Sequence, residues 1–291
     1  MRGRVWNMAV LETGDDPLHI SGAKELALFS SRTIRWRPRS VHTQADPFLF
    51  VHDGWLYLFH EVQETGRLGH IAARRTRDLS AFEDLGPVLS APHHLSYPQV
   101  FADGDDLYML PETGSQKEVA LYRFDRFPGG LTRHKLLLEG AWYDSTIVRR
   151  EGRWWLFTSN DAQELHLFSA ESLDSPFVTH PANPISRDPK YARNGGAFIE
   201  LDGHLHRLAQ DGSTTYGSNL AALRVEELSL ETYRETLVRD RLFDRSKAWR
   251  AQGAHHLSHA RFAGRNVVAV DGLQYDYLVN KLLALGLRWL R

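Results

Sequence analysis

The chain has 291 residues, of which 42% are hydrophobic and 24% charged, and its formal net charge at pH 7 is −1. This composition is typical of a globular protein with a sizeable core, and the charge gives no global field that would attract nucleic acid. The absence of cysteine excludes a disulfide scaffold, thiol catalysis and thiolate metal sites. No apolar run of about 18 residues and no signal-peptide core are present, so we expect a cytoplasmic protein without a membrane span.

Near the N-terminus, the segment RVWNMAVLE is a strand candidate. Five segments of 16 residues follow, each with apolar or aromatic residues on both sides of a glycine at its eighth or ninth position. Short runs of aromatic and β-branched residues around such a glycine predict two antiparallel strands joined by a tight turn. The five predicted hairpins begin at Asp46, Tyr97, Asp144, Gly196 and His256.

The spacing of these hairpins predicts a repeat architecture. Their starts are separated by 51, 47, 52 and 60 residues, and more strand-like sequence follows several of them. A unit of about 50 residues with about four strands has the size of a propeller blade. We therefore predict an all-β fold, a five-bladed β-propeller that forms a single domain over residues 1–291. The opening strand is expected to complete the last blade.

The last segment, QYDYLVNKLLALGLRWLR at residues 274–291, has helical spacing of its apolar residues and basic residues near its end. This pattern predicts a short C-terminal helix. The helix either packs against the side of the propeller or contacts another protein or a membrane surface. The membrane contact would place the protein peripherally at the inner membrane face.

The open ends of the five hairpins form the candidate site. In each segment the first and last residues, such as Asp46 and Glu61, are expected to lie opposite each other. The innermost strands of a propeller surround its axis, so equivalent hairpin ends meet at one place, which we call the mouth. The mouth is expected to collect Asp46, Glu61, Tyr97, Glu112, Asp144, Asp211, His256 and Asp271.

Several carboxyl groups near one axis would raise one another's pKa values. Such an arrangement does not stabilise a fold and is typical of a functional site. The alternative is that some of these acids cap turns or pair with arginines at the rim.

Basic groups near the fourth hairpin predict a sugar or sugar-phosphate ligand. Arg193 precedes this hairpin, and Arg207, Gln210 and Asp211 end it. Arginine is a bidentate partner of carboxylates and phosphates, which suits an anionic, nucleotide-linked or lipid-linked sugar. An internal ion pair with Asp46 or Asp144 is the alternative for each arginine.

Two aromatic residues and a histidine complete the predicted binding set. Trp142 and Tyr143 directly precede Asp144, and their rings can either stack on sugar rings or pack within a blade. His94 lies just before the Tyr97 strand and is expected to line the mouth. The histidine pairs at 93–94 and 255–256 lack a zinc-binding pattern such as HExxH, so we predict no transition-metal site. No Walker loop, dinucleotide fingerprint or GxSxG elbow is present, so no cofactor is predicted.

The sequences ADPF, YPQVFADGDDLYMLPE and WYDSTIVRREGRWWLFTS carry a family resemblance over residues 42–272. They resemble the five-bladed propeller glycosidases of glycoside hydrolase family 43 and its relatives. The motifs SYPQVF, YMLPE, DST with WWLF, and GGAF with HR are more similar still to another group. This group is the N-terminal propeller-like domain of plant glucosamine inositolphosphorylceramide transferases, with its stand-alone bacterial relatives.

The family 43 resemblance implies roles for four positions. It implies a catalytic base at Asp46. Tyr97 stands where the family has an aspartate that modulates pKa, and Asp144 stands where it has a glutamate as general acid. His256 matches a histidine near the axis, often beside a metal or water, so a structural calcium ion or a buried water near His256 is the expectation. Glu112, from the same hairpin end as Tyr97, can replace the missing modulator.

We therefore expect a carbohydrate-active, glycosidase-like propeller that acts on a glycan or an activated sugar. Asp46 would be the general base and Asp144 the general acid, with Glu112 tuning them. One alternative is a cytoplasmic glycosyltransferase, or an accessory protein, in cell-surface polysaccharide or glycolipid biosynthesis. Another is a non-catalytic sugar-binding scaffold. The sugar, its linkage, the stereochemical outcome and the oligomeric state stay open at this stage.

Overall fold

The computed structural model describes residues 3–31 and 40–276, and these residues form 21 β-strands and two short 3-10 helices. The first strands are β1 (Gly3–Thr13), β2 (Lys24–Phe29), β3 (Val41–His52), β4 (Trp55–Glu64), β5 (His70–Thr76), β6 (Glu83–Leu89), β7 (Ser96–Asp103), β8 (Asp106–Glu112), β9 (Glu118–Phe124) and β10 (Leu131–Glu139). They are followed by β11 (Tyr143–Arg150), β12 (Arg153–Ser159), β13 (Leu165–Ala170), β14 (Val178–Thr179), β15 (Arg193–Asn194), β16 (Ile199–Leu201), β17 (His204–Gln210), β18 (Leu220–Leu228), β19 (Tyr233–Arg239), β20 (Leu257–Phe262) and β21 (Arg265–Asp276). The 3-10 helices are Gly114–Gln116 and Ala248–Arg250.

The all-β class predicted from the sequence is confirmed over the described residues. Strand β21 continues to Asp276, so the first three residues of the predicted C-terminal helix, 274–276, belong to a strand. The remainder of that predicted helix, residues 277–291, lies outside the described residues. In the described part of the chain, no helix has the length and apolar character needed to cross a membrane.

The strands are arranged in four sheets built mainly from antiparallel pairs. The largest sheet has eight strands in the order β20-β21-β1-β3-β4-β5-β6, with β2 paired to β1. Within it, two groups of four strands meet at a parallel contact between β1 and β3, where Trp6 pairs with Thr43. The other sheets have the orders β10-β9-β8-β7, β11-β12-β13-β14 and β15-β17-β18-β19, with β16 paired to β17.

The opening strand β1 pairs with the last strand β21 over its whole length, from Gly3 opposite Asp276 to Thr13 opposite Asn266. The buried side chain of Asn7 adds hydrogen bonds to the carbonyl groups of Trp249 and Gly272. The prediction that the opening strand joins the last hairpin is therefore confirmed.

All five predicted hairpins are present, as β3–β4, β7–β8, β11–β12, β16–β17 and β20–β21. Four of them turn through two residues that both have positive φ, which is the geometry of a type I′ turn. In the first of these, φ is 47° at Asp53 and 73° at Gly54. Glycine adopts this conformation without strain, which explains why a glycine recurs in each repeat.

The hydrophobic core lies between successive sheets. Phe59 and Ile71 of the first hairpin unit pack against Leu95 and Met109 of the second. Leu110 and other residues of the second unit pack against the third in the same way. Because each sheet covers the apolar face of its neighbour, the ends of their first strands are brought close to one another.

Candidate active site

The same backbone irregularity occurs at the start of three hairpins. Asp46, Tyr97 and Asp144 have φ values of 52°, 49° and 48°, in the left-handed region that non-glycine residues rarely occupy. At each of them the strand pairing shifts register, as in a β-bulge. Bulges re-aim side chains and are common next to active sites, where strained backbone also concentrates. The same bulge therefore orients the side chains of Asp46, Tyr97 and Asp144, which occupy equivalent positions in three repeats.

Because of the bulge, the observed pairing across the hairpin differs by one residue from the predicted pairing. Glu61 lies opposite Ala45, one residue before Asp46, and Glu112 lies opposite Ser96. The offset differs from the prediction because each bulge adds a residue to the first strand.

Five buried or nearly buried acids, which we call the carboxyl cluster, link the hairpin ends to one another: Asp46, Glu61, Glu112, Asp144 and Asp271. The backbone N–H of Asp46 donates to Oδ2 of Asp271 at 3.4 Å, and that of Tyr97 donates to Oδ2 of Asp46 at 3.3 Å. The N–H of Asp144 donates to Oε2 of Glu112 at 3.1 Å. These acids therefore come together as predicted, and each of these three contacts joins one hairpin to the next.

Tyr97 is fully buried, and its hydroxyl group joins three hairpins. It lies 2.8 Å from Oγ1 of Thr146 and accepts a hydrogen bond from the N–H of Gly196 at 2.7 Å. The Tyr97 ring meets those of Phe48 and His256 edge-on. Its predicted contact with a ligand stays a prediction, while its visible contacts hold the mouth together.

Asp144 is held by two donors from the sheet that contains the fourth hairpin. Arg193 Nε lies 2.5 Å from Oδ2 of Asp144, and Gln210 Nε2 donates to the same oxygen at 2.6 Å. Burial acts to raise the pKa of Asp144, but the charge and hydrogen bond of Arg193 outweigh burial and lower it. Asp144 is therefore the anionic partner of an ion pair.

Glu112 behaves in the opposite way. Burial, and then the negative charge of Asp144, raise the pKa of Glu112 well above its ordinary value. Arg193 acts against this rise, but its Nη2 is 3.8 Å from Oε2 of Glu112, farther than from Asp144. Within this pair the pKa of Glu112 is raised while that of Asp144 is lowered, so Glu112 holds a proton more readily than Asp144 does.

Asp46 and Glu61 also have raised pKa values. Burial raises the pKa of Asp46 to about 7, although the charge of His255 acts to lower it. Burial, followed by the charge of Asp46, raises the pKa of Glu61 well above its usual range. His94 lies at the edge of this group, with Nε2 3.4 Å from Oε1 of Glu61.

His255, which was not predicted, lies within the carboxyl cluster. Its Nδ1 lies 2.5 Å from Oδ2 of Asp271, and its Nε2 lies 3.9 Å from Oδ1 of Asp46. The ring stacks on Trp6 of β1, with centroids 4.1 Å apart and planes at 13°. Burial acts to lower the pKa of His255, but Asp271 outweighs burial and raises it. The adjacent pair of histidines was the only sequence signal for this position.

His256 is fully buried against Phe48 and Tyr97, and burial lowers its pKa to about 3. Both of its ring nitrogens lack a hydrogen-bond partner among the described residues. Its Nδ1 also lies 3.8 Å from Oδ1 of Asp46. A calcium ion binds about six to eight oxygen ligands, whereas a buried water needs only about two to four polar partners. The surroundings of His256 thus fit the expected buried water, which needs polar partners of this kind, better than the expected calcium ion.

Asp46, His255 and Asp271 place one possible metal-ligand atom each within 4.8 Å of one another. The oxygens of Asp271 are already engaged, because Oδ1 accepts the N–H groups of His255 and His256 at 2.8 and 3.0 Å. Oδ2 of Asp271 faces the His255 ring and the N–H of Asp46. These internal contacts fit a hydrogen-bonded network rather than a metal centre.

A pocket of about 130 Å³ opens beside this cluster. Arg193 lies at its inner side, with its guanidinium 5.5 Å from the ring centre of Tyr143 and 5.4 Å from that of Tyr216. The predicted residues Tyr143, Arg193 and Gln210 line it together with Tyr216, which the sequence did not single out.

Three other predicted residues have contacts inside the protein. Arg207 is 1% exposed and pairs with Glu235 at 2.6 Å, so it supports the fourth hairpin from behind. Asp211 accepts hydrogen bonds from the N–H and hydroxyl of Ser213, which is turn capping. Trp142 donates its indole N–H to the carbonyl of Glu139 and packs edge-on against neighbouring rings. Their binding of a ligand stays a prediction.

The sheet order and the hairpin-end site define an all-β protein with a glycoside hydrolase-like propeller fold. An α-L-arabinofuranosidase from Podospora anserina is similar, with a TM-score of 0.60 and 13% identity over 83% of this chain and 94% of that one. A thermostable family-43 glycoside hydrolase has a TM-score of 0.53 and 12% identity over 70% and 77% of the two chains. At these identities the likeness concerns the fold alone.

The chain belongs to the family described as Glucosamine inositolphosphorylceramide transferase 1, N-terminal, whose model matches residues 32–273. Over 243 residues it is 37% identical to Glucosamine inositolphosphorylceramide transferase 1 of Oryza sativa subsp. japonica. That alignment covers 78% of this chain and 33% of the rice protein, so the chain spans about a third of the length of this relative. The resemblance inferred from the sequence motifs is confirmed.

Proposed function

We propose that the chain is a carbohydrate-active five-bladed propeller whose mouth carries out acid/base chemistry on a glycan or an activated sugar. The eight-stranded sheet would count as two blades that meet at the contact of Trp6 with Thr43. One observation carries the functional part of the proposal. The same bulge at Asp46, Tyr97 and Asp144 brings acids from different repeats into one buried cluster beside a pocket walled by tyrosines.

The pKa directions support a glycosidase-like division of roles. Glu112, whose pKa is raised by burial and by the charge of Asp144, would protonate the oxygen of the leaving group as the glycosidic bond breaks. Asp46, ionised above a pKa of about 7, would take a proton from the water that attacks the anomeric carbon. Asp144, held anionic by Arg193, would tune Glu112. This assignment exchanges the sequence-based roles of Asp144 and Glu112, and it keeps that of Asp46.

The aromatic residues beside the pocket support a sugar as the ligand. The rings of Tyr143 and Tyr216 lie on the guanidinium of Arg193, and aromatic faces of this kind pack well against the apolar faces of sugar rings. Gln210 adds a polar group next to Asp144 for orienting hydroxyl groups.

A second candidate function is that of a glycosyltransferase, or a partner of one, in cell-surface polysaccharide or glycolipid biosynthesis. Its support is the relationship to the N-terminal part of longer proteins that are named as transferases. This candidate includes a cytoplasmic location with a peripheral contact at the inner membrane face. A third candidate is a sugar-binding scaffold, which is favoured by the low exposure of Asp46, Glu61 and Asp144, each under a tenth exposed.

The experiment that tests the proposal is turnover of a panel of oligosaccharides and aryl glycosides by the purified chain. We expect Asp46→Asn to lose at least about 100-fold in kcat/KM, the usual contribution of general acid/base catalysis. Asp174→Asn, which changes an exposed aspartate paired with His134, is the matched control and should retain full activity. Unchanged turnover in Asp46→Asn would refute the acid/base proposal. Saturable calorimetric binding of a nucleotide sugar without glycan turnover would favour the transferase candidate instead.

A further inference from the structure

The pocket beside the carboxyl cluster has the size of a single ring. Its volume is about 130 Å³, and an apolar protein cavity of about 150 Å³ is known to hold one benzene molecule. Among the residues that line the pocket, Arg193 is the one that carries a formal charge. The acids of the carboxyl cluster do not line the pocket, so the guanidinium of Arg193 is the charged group that an entering molecule meets there.

Arg193 retains binding capacity on the pocket side. Its side chain is 34% exposed, and among the described residues its side-chain hydrogen bond runs from Nε to Asp144. The Nη2 group is 3.8 Å from Glu112, which is too far for a good hydrogen bond. The planar end of the guanidinium can therefore meet a second anion in the bidentate geometry that arginine forms with carboxylates and phosphates.

The two tyrosines beside Arg193 add a preference for a ring that carries this anion. Tyr143 is held by a hydrogen bond from its hydroxyl to Asp161 at 2.6 Å, so its ring position is constrained. The guanidinium of Arg193 also contacts the ring of Tyr216, whose centre lies 5.4 Å away. A sugar ring packed against the exposed part of Tyr216, which is 47% exposed, would place a carboxylate or phosphate substituent next to the cation.

We propose that this pocket binds a sugar carrying a carboxylate or phosphate group, with Arg193 as the residue that recognises the anion. The inference rests on the proposed function of the chain as a carbohydrate-active protein, and it specifies the substrate class of that site. A neutral sugar would leave the free donors of Arg193 to water, so it should bind more weakly. The ligand and Asp144 would share the same guanidinium, which couples occupancy of the pocket to the carboxyl cluster.

The test is calorimetric titration of the full chain with four probes: methyl glucuronide, glucose 6-phosphate, methyl glucoside and inorganic phosphate. We expect at least one anionic sugar to bind about 10- to 100-fold more tightly than methyl glucoside, the range for a hydrogen-bonded charged contact. The stronger of the two anionic sugars distinguishes a carboxylate from a phosphate ligand. Arg193→Gln should remove this advantage, whereas Arg193→Lys, which keeps the charge but loses the fork, should retain part of it.

The matched control is Arg187→Gln, which changes an exposed arginine paired with Glu164 and should leave all affinities unchanged. Thermal melting of each variant checks that it is folded. Equal affinities for the neutral and anionic sugars, or an unchanged anionic preference in a folded Arg193→Gln protein, would overturn the inference. Inorganic phosphate binding as tightly as glucose 6-phosphate would also overturn it, because the ring would then contribute nothing. Turnover of neutral glycans that depends on Asp46 would leave the proposed function standing after such a failure.

Discussion

The hydroxyl group of Tyr97 accepts a hydrogen bond from the backbone N–H of Gly196 at 2.7 Å, although 99 residues separate the two in the chain. The second and fourth hairpins are thereby joined directly across the centre of the fold. Gly196 has little room of its own, since a Cβ atom there would lie 1.9 Å from the carbonyl oxygen of Leu257. The contact depends on a glycine at this position and a tyrosine at the equivalent position two repeats earlier.

We expect Tyr97→Phe to destabilise the protein by about 1–3 kcal/mol, because it leaves the buried N–H of Gly196 without its partner. Thermal unfolding monitored by circular dichroism measures the change. Tyr122→Phe, in strand β9 of the same sheet as Tyr97, is the control and should cost less. Equal melting temperatures for wild type and Tyr97→Phe would show that the hydroxyl contributes nothing to stability.

The raised pKa of Glu112 predicts a dependence on the leaving group. In Glu112→Gln, turnover of alkyl glycosides should fall about 100-fold or more, because their leaving oxygens require a proton. Aryl glycosides with strongly acidic leaving groups need no proton and should lose far less. Parallel kinetics on both substrate types make this comparison, with Glu118→Gln in the pair with Arg133 as the control. A uniform loss on both types would show that Glu112 does not donate the proton.

The pKa of Asp46 predicts a pH dependence of stability. Its value of about 7 in the folded state exceeds the ordinary value of 3.8. Between these two pH values the folded chain keeps a proton on Asp46 that the unfolded chain has lost. The stability from Asp46 is therefore complete below about pH 4 and declines as the pH rises towards 7, by up to roughly 4 kcal/mol. Glu61 and Glu112, also with raised pKa values, act in the same direction.

Melting temperatures between pH 5 and pH 8 check this dependence. Buried histidines with lowered pKa values, such as His256, act in the opposite direction below about pH 6.5, so the test compares the wild-type protein with Asp46→Asn. Between pH 5 and pH 8 the melting temperature of the wild-type protein should fall relative to that of Asp46→Asn. Asp144 and Asp271, with lowered pKa values, contribute stability that is lost only below their ordinary range, so they do not affect this window. Parallel curves for wild type and Asp46→Asn would contradict the assignment.

His255 should set the pH at which Asp46 ionises. Its charge lowers the pKa of Asp46, so His255→Asn should raise that pKa and move the ascending limb of the kcat/KM profile to higher pH. His259→Asn, which changes a histidine that bonds to Asn266, is the control and should leave the limb in place. A limb that stays at the same pH in His255→Asn, with only a lower kcat, would indicate a purely structural role.

The hairpins were predictable from the sequence because their signals are local. A glycine that allows positive φ, between apolar runs, marks each turn, and the repeat spacing gives the unit. The acids at the hairpin ends, such as Asp46 and Glu112, were found for the same reason. For the long pairing of β1 with β21, the only sequence signal was the strand-like character of RVWNMAVLE.

The bulges were not predicted from residue type, because Tyr97 does not favour positive φ, and aspartate, although enriched at positive φ, adopts other conformations at most positions. The sequence favoured His256, whereas the His255 ring is the one that pairs with Asp271 at 2.5 Å, and both rings lie within 4 Å of Asp46. The proposed exchange of roles between Asp144 and Glu112 rests on Arg193, which lies 49 residues beyond Asp144 and contacts it through folding alone. The helical spacing after residue 273 was overridden locally by pairing with β1, since Gln274 lies opposite Val5.

The pairing of β1 with β21 has a consequence for how the chain folds. Asn7 lies opposite Gly272, so β1 must wait through the synthesis of nearly all later strands before its partner exists, and such distant pairings form slowly. Trp6, on the same strand, is the residue on which the His255 ring stacks. A nascent chain that has completed the first four hairpins would therefore already hold Asp144 and Arg193 together, yet lack an oriented His255. The site thus needs residues from both strands, and the His255 ring has its full set of contacts only once β1 and the last hairpin have come together.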